Sequence, residues 1–336
     1  MNNKFQYSVA IRTLGTAGVK YKKLIDSIAN QTIQPEKVIV VLPEGYSIPN
    51  YKIGIETFVF SKKGMIEQRI FALDFISSDY ILFCDDDVEF PSNFMEKISD
   101  AFVSGEFHCA AGPLLSFFPP KKIKNYIASL LGGASIMLHG RKNTYVRVLS
   151  TGGWSYNRSI DTKHHKFYYT DSLAWTCFCV SKQAMDAIHF EDELWAGKNG
   201  YAAFDDQLFF SKLKLNGFKT CVVSDAEYIH NDGKTSIQGL KLEPIYATAF
   251  NHFVFWYRCL YSTCNNPFRK MWLRICIQYS ITTGMIYSRM KHPKSERKIV
   301  LSTKKKGFSD AKKFVKSNEY KSIPNIVRVE RTSREK

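Results

Sequence analysis

Three consecutive carboxylates, Asp85, Asp86 and Asp87, directly follow the apolar run YILFC at residues 80–84. Carboxylates this close repel one another, so the cluster is costly unless a cation neutralises it. Their oxygens are the hard ligands that Mg²⁺ and Mn²⁺ prefer, and such ions keep waters and take up substrate phosphates. An acidic surface turn is the alternative, because Asp is common in turns. The position after an apolar strand favours the cation site.

Two further features can contribute chemistry to the same place. Asp205 and Asp206 begin an amphipathic segment, and one can cap a helix while the other acts as a general base for an acceptor hydroxyl. His230 ends the segment KTCVVSDAEYIH. Its neutral imidazole can complete a metal's coordination, although a single His is more often an ordinary core or surface residue.

The elements that must position these residues alternate between apolar strands and helical patterns. Strands are predicted at Tyr7–Arg12, Lys37–Leu42, Tyr80–Cys84, Thr176–Ser181 and Lys219–Ser224, and helices at Tyr21–Asn30, Ile66–Ile76, Asn93–Phe102 (capped by Ser92) and Asp206–Leu215. This alternation predicts an α/β fold with a mostly parallel sheet flanked by helices. Such sheets bind ligands at the carboxyl ends of their strands.

The middle of the chain, residues 113–170, is less regular. Its apolar stretch Tyr126–Leu138 is too short to span a bilayer, and it predicts either a core hairpin or helix, or an element that dips into a membrane interface. Elsewhere too, no uncharged apolar stretch reaches 18 residues and no signal-peptide pattern is present, so no spanning helix is expected. The eight cysteines mostly lie in apolar runs, which predicts reduced core thiols in a cytosolic protein.

The net charge of +16 is concentrated in one region. Residues 241–336 hold 21 Lys and Arg against 6 Asp and Glu, whereas residues 1–240 hold 26 against 25. We therefore expect a catalytic domain at 1–240 and a basic, helical C-terminal region at 241–336. An anionic membrane surface is the partner that this charge suggests, and a solvated tail is the alternative.

The C-terminal region contains two aromatic-rich helical patterns, Phe250–Tyr261 and Met271–Tyr287. Five aromatic residues can either lie at the lipid headgroups or pack back on the catalytic domain: Phe253, Phe255, Trp256, Tyr257 and Trp272. No nucleic-acid partner is expected, because the region lacks the spacing of any nucleic-acid-binding module.

Six segments, taken in order, resemble the family 2 glycosyltransferases, which have the GT-A fold. The resemblance covers roughly residues 7–235, and it is carried by SVAIRT (8–13), SIANQTIQPEKVIVV (27–41), KGMIEQR (63–69), YILFCDDDVEF (80–90), FDDQLFF (204–210) and GFKTCVVSDAEYIH (217–230). It implies a GT-A type, Rossmann-like mixed sheet.

The resemblance also implies site residues, each at a matching position of this sequence. Those implied to bind the nucleotide-sugar are Thr13, Arg69, Asp85 and Asp86; those implied to bind Mn²⁺ or Mg²⁺ are Asp87, Asp85 and His230; those implied at the catalytic ED motif are Asp205, in place of Glu, and the base Asp206.

The implied activity is inverting transfer of a sugar from a nucleoside-diphosphate sugar to a hydroxyl acceptor. Uridine is the default base, although Leu42–Gly45 stands where the family often has an acidic, Ser-rich turn. A glycan or lipid-linked acceptor in cell-surface polysaccharide or lipopolysaccharide synthesis follows by analogy, at the cytoplasmic face of the membrane. The alternatives are a degenerate GT-A-like protein, a basic membrane- or nucleic-acid-binding protein, and a phosphotransferase or nuclease that uses the Asp cluster.

The pocket walls, and hence the sugar, depend on residues 113–200. Trp154, Trp175 and Trp195 are candidates for stacking on a sugar ring, and each can equally be a core residue.

Overall fold

The structure is a computed structural model, and it describes residues 5–120, 122–134, 143–231 and 240–327. These residues form twelve strands: β1 (Tyr7–Arg12), β2 (Val38–Pro43), β3 (Glu56–Ser61), β4 (Tyr80–Asp85), β5 (Val88–Glu89), β6 (Cys109–Ala111), β7 (Val146–Val148), β8 (Trp154–Tyr156), β9 (Phe167–Tyr169), β10 (Cys177–Ser181), β11 (Thr220–Val223) and β12 (Ile229–His230).

Ten α-helices accompany the strands in the described residues. They are α1 (Val19–Ala29), α2 (Met65–Phe71), α3 (Phe94–Val103), α4 (Ile123–Leu131), α5 (Lys182–Ile188), α6 (Asp205–Leu215), α7 (Leu242–Phe255), α8 (Pro267–Lys291), α9 (Lys294–Phe314) and α10 (Asn318–Ser322). A single π-helical turn, Trp256–Tyr261, continues α7.

Eight strands form the central sheet in the order β3-β2-β1-β4-β10-β6-β11-β9. The first four run parallel, whereas β10 and β9 are antiparallel to their neighbours. Two small two-stranded sheets, β5 with β12 and β7 with β8, lie outside it. The predicted α/β class, with a mixed and mostly parallel sheet, is confirmed.

The central strands are continuous apolar runs because both faces of the sheet are covered. In β1, Val9 and Ile11 point to the face that α1 and α3 cover, and Ala10 points to the opposite face. That opposite face packs against α2, α5, α6 and α7. The sheet therefore has two hydrophobic layers, and the C-terminal region contributes to one of them.

Several boundaries differ from the predictions. Ser92 does not cap α3; Asn93 precedes the helix without a side-chain cap, because a turn bond from the Phe94 N–H to the Pro91 carbonyl (3.0 Å) starts the helix instead. The short or edge strands β3, β6 and β9 were not predicted. Helix α9 was not predicted either, because its few buried residues lie among many Lys and Ser and give only a weak helical pattern.

The aromatic residues of α7 and of the π turn pack on the part of the chain that forms the central sheet. Phe253, Phe255 and Trp256 are buried in the sheet-facing core, so for these three residues the structure confirms the second alternative, packing within the protein, rather than contact with lipid headgroups. They are covered because α7 lies against the sheet and against α9. Tyr257 is half-buried against the same core, and Trp272 alone of the five is 56% exposed.

A buried charge cluster fixes this packing. Glu193 accepts hydrogen bonds from Arg258 Nε (2.8 Å) and Nη2 (2.7 Å) and from Lys212 Nζ (2.9 Å). Arg258 Nη2 also donates to the Pro324 carbonyl at 2.8 Å. Lys212 lies on α6, so the cluster connects α6 to the C-terminal region. The predicted boundary at 240/241 stays a proposal.

Three further expectations concern the thiols, membrane-spanning helices and the apolar stretch in the middle of the chain. The eight cysteines are free, and seven of them are buried, as predicted. Within the described ranges, no helix has the length and apolarity needed to cross a bilayer. The apolar stretch Tyr126–Leu138 is helical up to Leu131, and its part at 135–138 lies outside the described residues.

Candidate functional site

The acidic cluster lies at the carboxyl end of β4, beside the end of β1. Arg12 and Asp85 are partners in the register of these two strands. Arg12 Nη2 lies 3.0 Å from Asp85 Oδ1, and Arg69 Nη2 lies 3.3 Å from the same oxygen. Burial raises the pKa of the Asp85 carboxyl, but the two arginines outweigh it and hold the pKa below its usual range. Asp85 is therefore an anion at neutral pH.

Arg69 joins the two acidic features that the sequence separates by more than a hundred residues. Its Nη1 lies 3.0 Å from Asp205 Oδ2, and its guanidinium stacks on the Trp175 ring at 4.1 Å. The side chain is buried, which lowers the pKa of Arg69, as does the neighbouring Arg12. The predicted residues Arg69, Asp85 and Asp205 thus form one network.

Thr13 and Asp86 are also in contact, since the Thr13 hydroxyl donates to Asp86 Oδ2. Burial is the main cause that raises the pKa of Asp86. Gln68 Nε2 donates to the carbonyls of Thr13 (3.2 Å) and Val41 (2.9 Å), which fixes the ends of β1 and β2. The predicted nucleotide-binding residues therefore lie together at one edge of the sheet.

Asp87 and His230 are brought together by the small sheet, in which β5 pairs with β12. His230 Nε2 lies 3.1 Å from Asp87 Oδ1, and the Asn231 N–H donates to the Asp87 carbonyl at 2.7 Å. Two neighbouring ligands of an octahedral ion, each about 2.1 Å from it, are about 3.0 Å apart. The pair therefore fits a divalent cation.

The remaining ligands of such a cation would be waters and phosphate oxygens. Across the described ranges, no three His, Cys, Asp or Glu side chains form a group that could hold a metal. Asp85 Oδ1 instead pairs with two arginines. Two protein ligands suffice for Mg²⁺-type sites that bind substrate phosphates. The role of Asp85 as a metal ligand stays a prediction.

The second acidic pair begins α6 after an unusual backbone turn. Phe204 has φ 67°, a left-handed conformation that bulky residues rarely adopt. Its ring stacks on His252 of α7 at 4.9 Å and lies edge-on to Trp154 at 5.8 Å. His252 Nε2 is in turn 2.8 Å from the Thr151 carbonyl. Strain of this kind is frequent at functional sites, and here the C-terminal region maintains it.

Asp206 has the most perturbed carboxyl of the site. Burial and then the charge of Asp205 raise the pKa of Asp206 to about 8, and burial also raises the pKa of Asp205. A carboxyl with a pKa near neutral is suited to accept a proton in a reaction.

Asp206 lines a cavity of about 360 Å³. Its other walls are mostly aromatic and apolar, and they include Gln207, Phe117, Phe118, Tyr145, Trp154, Tyr156, Cys177 and Tyr228. The Tyr228 and Thr176 hydroxyls are 2.7 Å apart, and the Thr176 carbonyl accepts the Asp85 N–H at 3.0 Å. The cavity wall is therefore connected directly to the acidic cluster. Apolar walls with few polar groups are typical of small-molecule sites.

Of the three tryptophans singled out, only Trp154 lines this cavity, whereas Trp175 and Trp195 are buried in the core. Sequence reasoning missed Arg12, Gln68 and Tyr156. Arg12 could have been found, because it ends a predicted strand that should lie beside the one ending at Asp85. Gln68 and Tyr156 gave no such signal.

Comparisons with known proteins bear on the family and the fold. Residues 21–164 match the family model described as Glycosyl transferase family 2. No curated protein matches the sequence significantly. The structure is similar to that of S. aureus TarS 1-349, with 16% identity, a TM-score of 0.50, and 91% of this chain and 80% of that chain covered.

A second similar structure is GalNAc-T7 with UDP, GalNAc and Mn²⁺. The identity is 12%, the TM-score is 0.52, and the alignment covers 97% of this chain but only 59% of that one. At these identities the likeness shows the fold alone. Residues 21–164 therefore resemble the family 2 glycosyltransferases, and a GT-A fold extends over most of the chain.

Proposed function

We propose that the chain is an inverting, metal-dependent glycosyltransferase that uses a nucleoside-diphosphate sugar, with UDP as the nucleotide. One observation carries the proposal: Asp206, a half-buried carboxyl with a raised pKa, faces a cavity whose wall adjoins the Asp85–Asp87 cluster. A base for the acceptor and a site for the diphosphate therefore lie on one surface. The UDP and Mn²⁺ in the GalNAc-T7 structure favour these choices of nucleotide and metal.

In this proposal the acceptor hydroxyl attacks the anomeric carbon from the side opposite the diphosphate. Its proton passes to an oxygen of Asp206, while the bond between the anomeric carbon and the diphosphate breaks and its electron pair leaves with the diphosphate. Asp205 does not serve as the base, because Arg69 engages its carboxylate at 3.0 Å.

The donor is held by the edge of the sheet. Thr13 and Asp86 lie where the nucleoside would contact β1 and β4, and Asp85 keeps Arg12 and Arg69 in place. Asp87 and His230 would hold Mn²⁺ or Mg²⁺, which when bound stabilises negative charge on the diphosphate as a Lewis acid.

Calorimetric titration of nucleoside diphosphates, with and without Mn²⁺, tests the donor site. We expect Mn²⁺-dependent binding of UDP that Asp87→Ala weakens about tenfold or more, because a ligand of the cation is lost. Asp74→Ala removes an exposed carboxylate remote from the cluster and is the matched control. If no nucleotide binds the wild-type protein, the chain is a degenerate relative rather than a transferase.

The catalytic role of Asp206 needs a separate measurement. Asp206→Asn keeps the size of the side chain but removes the base, so kcat should fall about 10²–10⁴-fold while UDP binding is retained. An Asn variant with near-normal turnover would exclude Asp206 as the base.

The wider role stays part of the proposal. A glycan or lipid-linked acceptor in surface polysaccharide or lipopolysaccharide synthesis, used at the cytoplasmic face of a membrane, is consistent with the basic region at 241–336. A panel of lipid-linked and free oligosaccharide acceptors would test it, and exclusive use of free, water-soluble acceptors would contradict it.

A further inference from the structure

The long helix α8 has two apolar faces on opposite sides. One face, which includes Leu273, Cys276 and Ile277, is buried against the protein. The other face is exposed although its large side chains are apolar. Each of the following is at least half exposed: Phe268, Met271, Trp272, Ile275, Ile286 and Met290. A helix that is apolar on both sides is normally covered on both.

These exposed residues form one stripe. Successive members are separated by three, one, three, eleven and four residues, and at about 100° per residue all six lie within an arc of about 100°. The stripe runs about 33 Å from Phe268 to Met290, at 1.5 Å per residue. Its length and its confinement to one side of the helix distinguish it from apolar residues scattered singly over a surface.

A second helix extends the same surface. α4 has no buried residue, and Ile123, Ile127 and Leu130 are 80%, 54% and 60% exposed at helical spacing. The end of α4 is fastened to the middle of α8, because the Tyr279 hydroxyl donates to the Leu130 carbonyl at 3.0 Å and the Thr283 hydroxyl donates to the Leu131 carbonyl at 2.6 Å. The two stripes are thus held together as part of a folded unit.

The charges on these helices are all positive. α4 contains one Lys and α8 contains five Lys and Arg, and neither helix contains Asp or Glu. Arg269, Arg274 and Arg289 are exposed. Apolar and aromatic side chains beside Lys and Arg, with no acidic residue, suit a bilayer that carries anionic lipids.

We propose that the exposed faces of α4 and α8 together form a docking surface for an anionic lipid bilayer, on which α8 lies parallel to the membrane plane. Phe268, Trp272 and Ile275 enter the headgroup and upper acyl region, and the arginines contact lipid phosphates. The proposal is independent of the transferase activity. It assigns membrane contact to α8 and α4 rather than to the buried aromatics of α7.

Vesicle co-flotation of the full chain tests the docking surface. We expect binding to phosphatidylcholine vesicles that contain phosphatidylglycerol, weaker binding to pure phosphatidylcholine, and loss of affinity as salt is raised. The double variant Trp272→Glu/Ile275→Glu should lower the affinity for the anionic vesicles about tenfold or more, because it places two charges in the stripe.

The matched control is Val19→Glu/Val103→Glu, which alters two residues that are 71% and 81% exposed on α1 and α3. It should bind vesicles as the wild type does. Thermal unfolding and Mn²⁺-dependent UDP binding report whether each variant is folded, and light scattering reports its mass. Three results would overturn the proposal: no binding of the wild type to anionic vesicles, equal loss in the control, or a wild-type dimer that the Trp272/Ile275 variant converts to a monomer without any vesicle binding.

Discussion

The pH dependence of the reaction follows from the surroundings of Asp206. Burial and the neighbouring Asp205 raise the pKa of Asp206 to about 8, and only the carboxylate form can accept the acceptor's proton. Activity should therefore be lost as the pH falls through the raised pKa, and it should be fully developed only above it. The ionised fraction is about one tenth at pH 7 and about nine tenths at pH 9, so kcat/KM should rise about tenfold over that interval.

Replacing Asp205 separates the two causes of the shift. In the wild type, Arg69 Nη1 donates to Asp205 Oδ2 at 3.0 Å. Asp205→Asn removes the negative charge beside Asp206, but the amide oxygen of the new Asn can still accept this hydrogen bond. The pKa of Asp206 should fall, and the midpoint of the profile should move to lower pH. Part of the shift should remain, since burial is the larger cause. The ratio of activity at pH 7 to activity at pH 9 should therefore rise, with about tenfold as its upper limit.

The assay is kcat/KM for the acceptor across this range, with donor and Mn²⁺ saturating. Calorimetric titration of UDP at each pH is the control, because it separates donor binding from proton transfer. A flat wild-type profile at constant UDP affinity would refute the reasoning. So would a midpoint that Asp205→Asn leaves unchanged.

Three further predictions concern how the site is supported. Arg258→Met leaves Glu193 with an incomplete set of partners in the core and should lower the free energy of unfolding by about 3–5 kcal/mol in urea denaturation. Lys198→Met removes an exposed ion pair to the same C-terminal region and should cost about 0–1 kcal/mol; equal losses would contradict the argument. His252→Ala removes the ring that stacks on Phe204, so kcat should fall about 10- to 100-fold at unchanged UDP affinity, and an unchanged kcat would exclude this positioning role. Trp154→Ala should raise KM for the acceptor about 3- to 10-fold in steady-state kinetics, whereas a change confined to UDP binding would place the acceptor elsewhere.

The sheet and the acidic cluster were predictable from the sequence because both are local signals. β1, β2 and β4 are contiguous apolar runs, and Asp85 ends the last of them. Parallel strands bring their carboxyl ends to one edge, so the cluster's neighbourhood follows from the strand order. The proximity of Asp87 and His230 was expected from the same argument.

Other parts of the site depend on packing between distant segments. Arg69 bridges Asp85 and Asp205 only because α2 and α6 lie on the same face of the sheet. The left-handed backbone of Phe204 depends on a ring from α7, and no residue type near Phe204 signals it. The C-terminal aromatics showed why composition alone misleads, since the buried and the exposed ones have the same residue types.

The buried charge cluster has a consequence for how the protein is made. Glu193 and Lys212 are synthesised long before their partner Arg258. Arg258 in turn donates a hydrogen bond to the Pro324 carbonyl, which is synthesised later still. The Asn216 side chain at the end of α6 likewise donates to the Ile326 carbonyl at 2.9 Å. Helix α6, which contains Asp206, can therefore reach its final packing only after residue 326 has been synthesised. A chain that terminates before residue 324 would contain every residue of the acidic cluster and still lack the contacts that complete the packing of α6, so the candidate site is finished only late in synthesis.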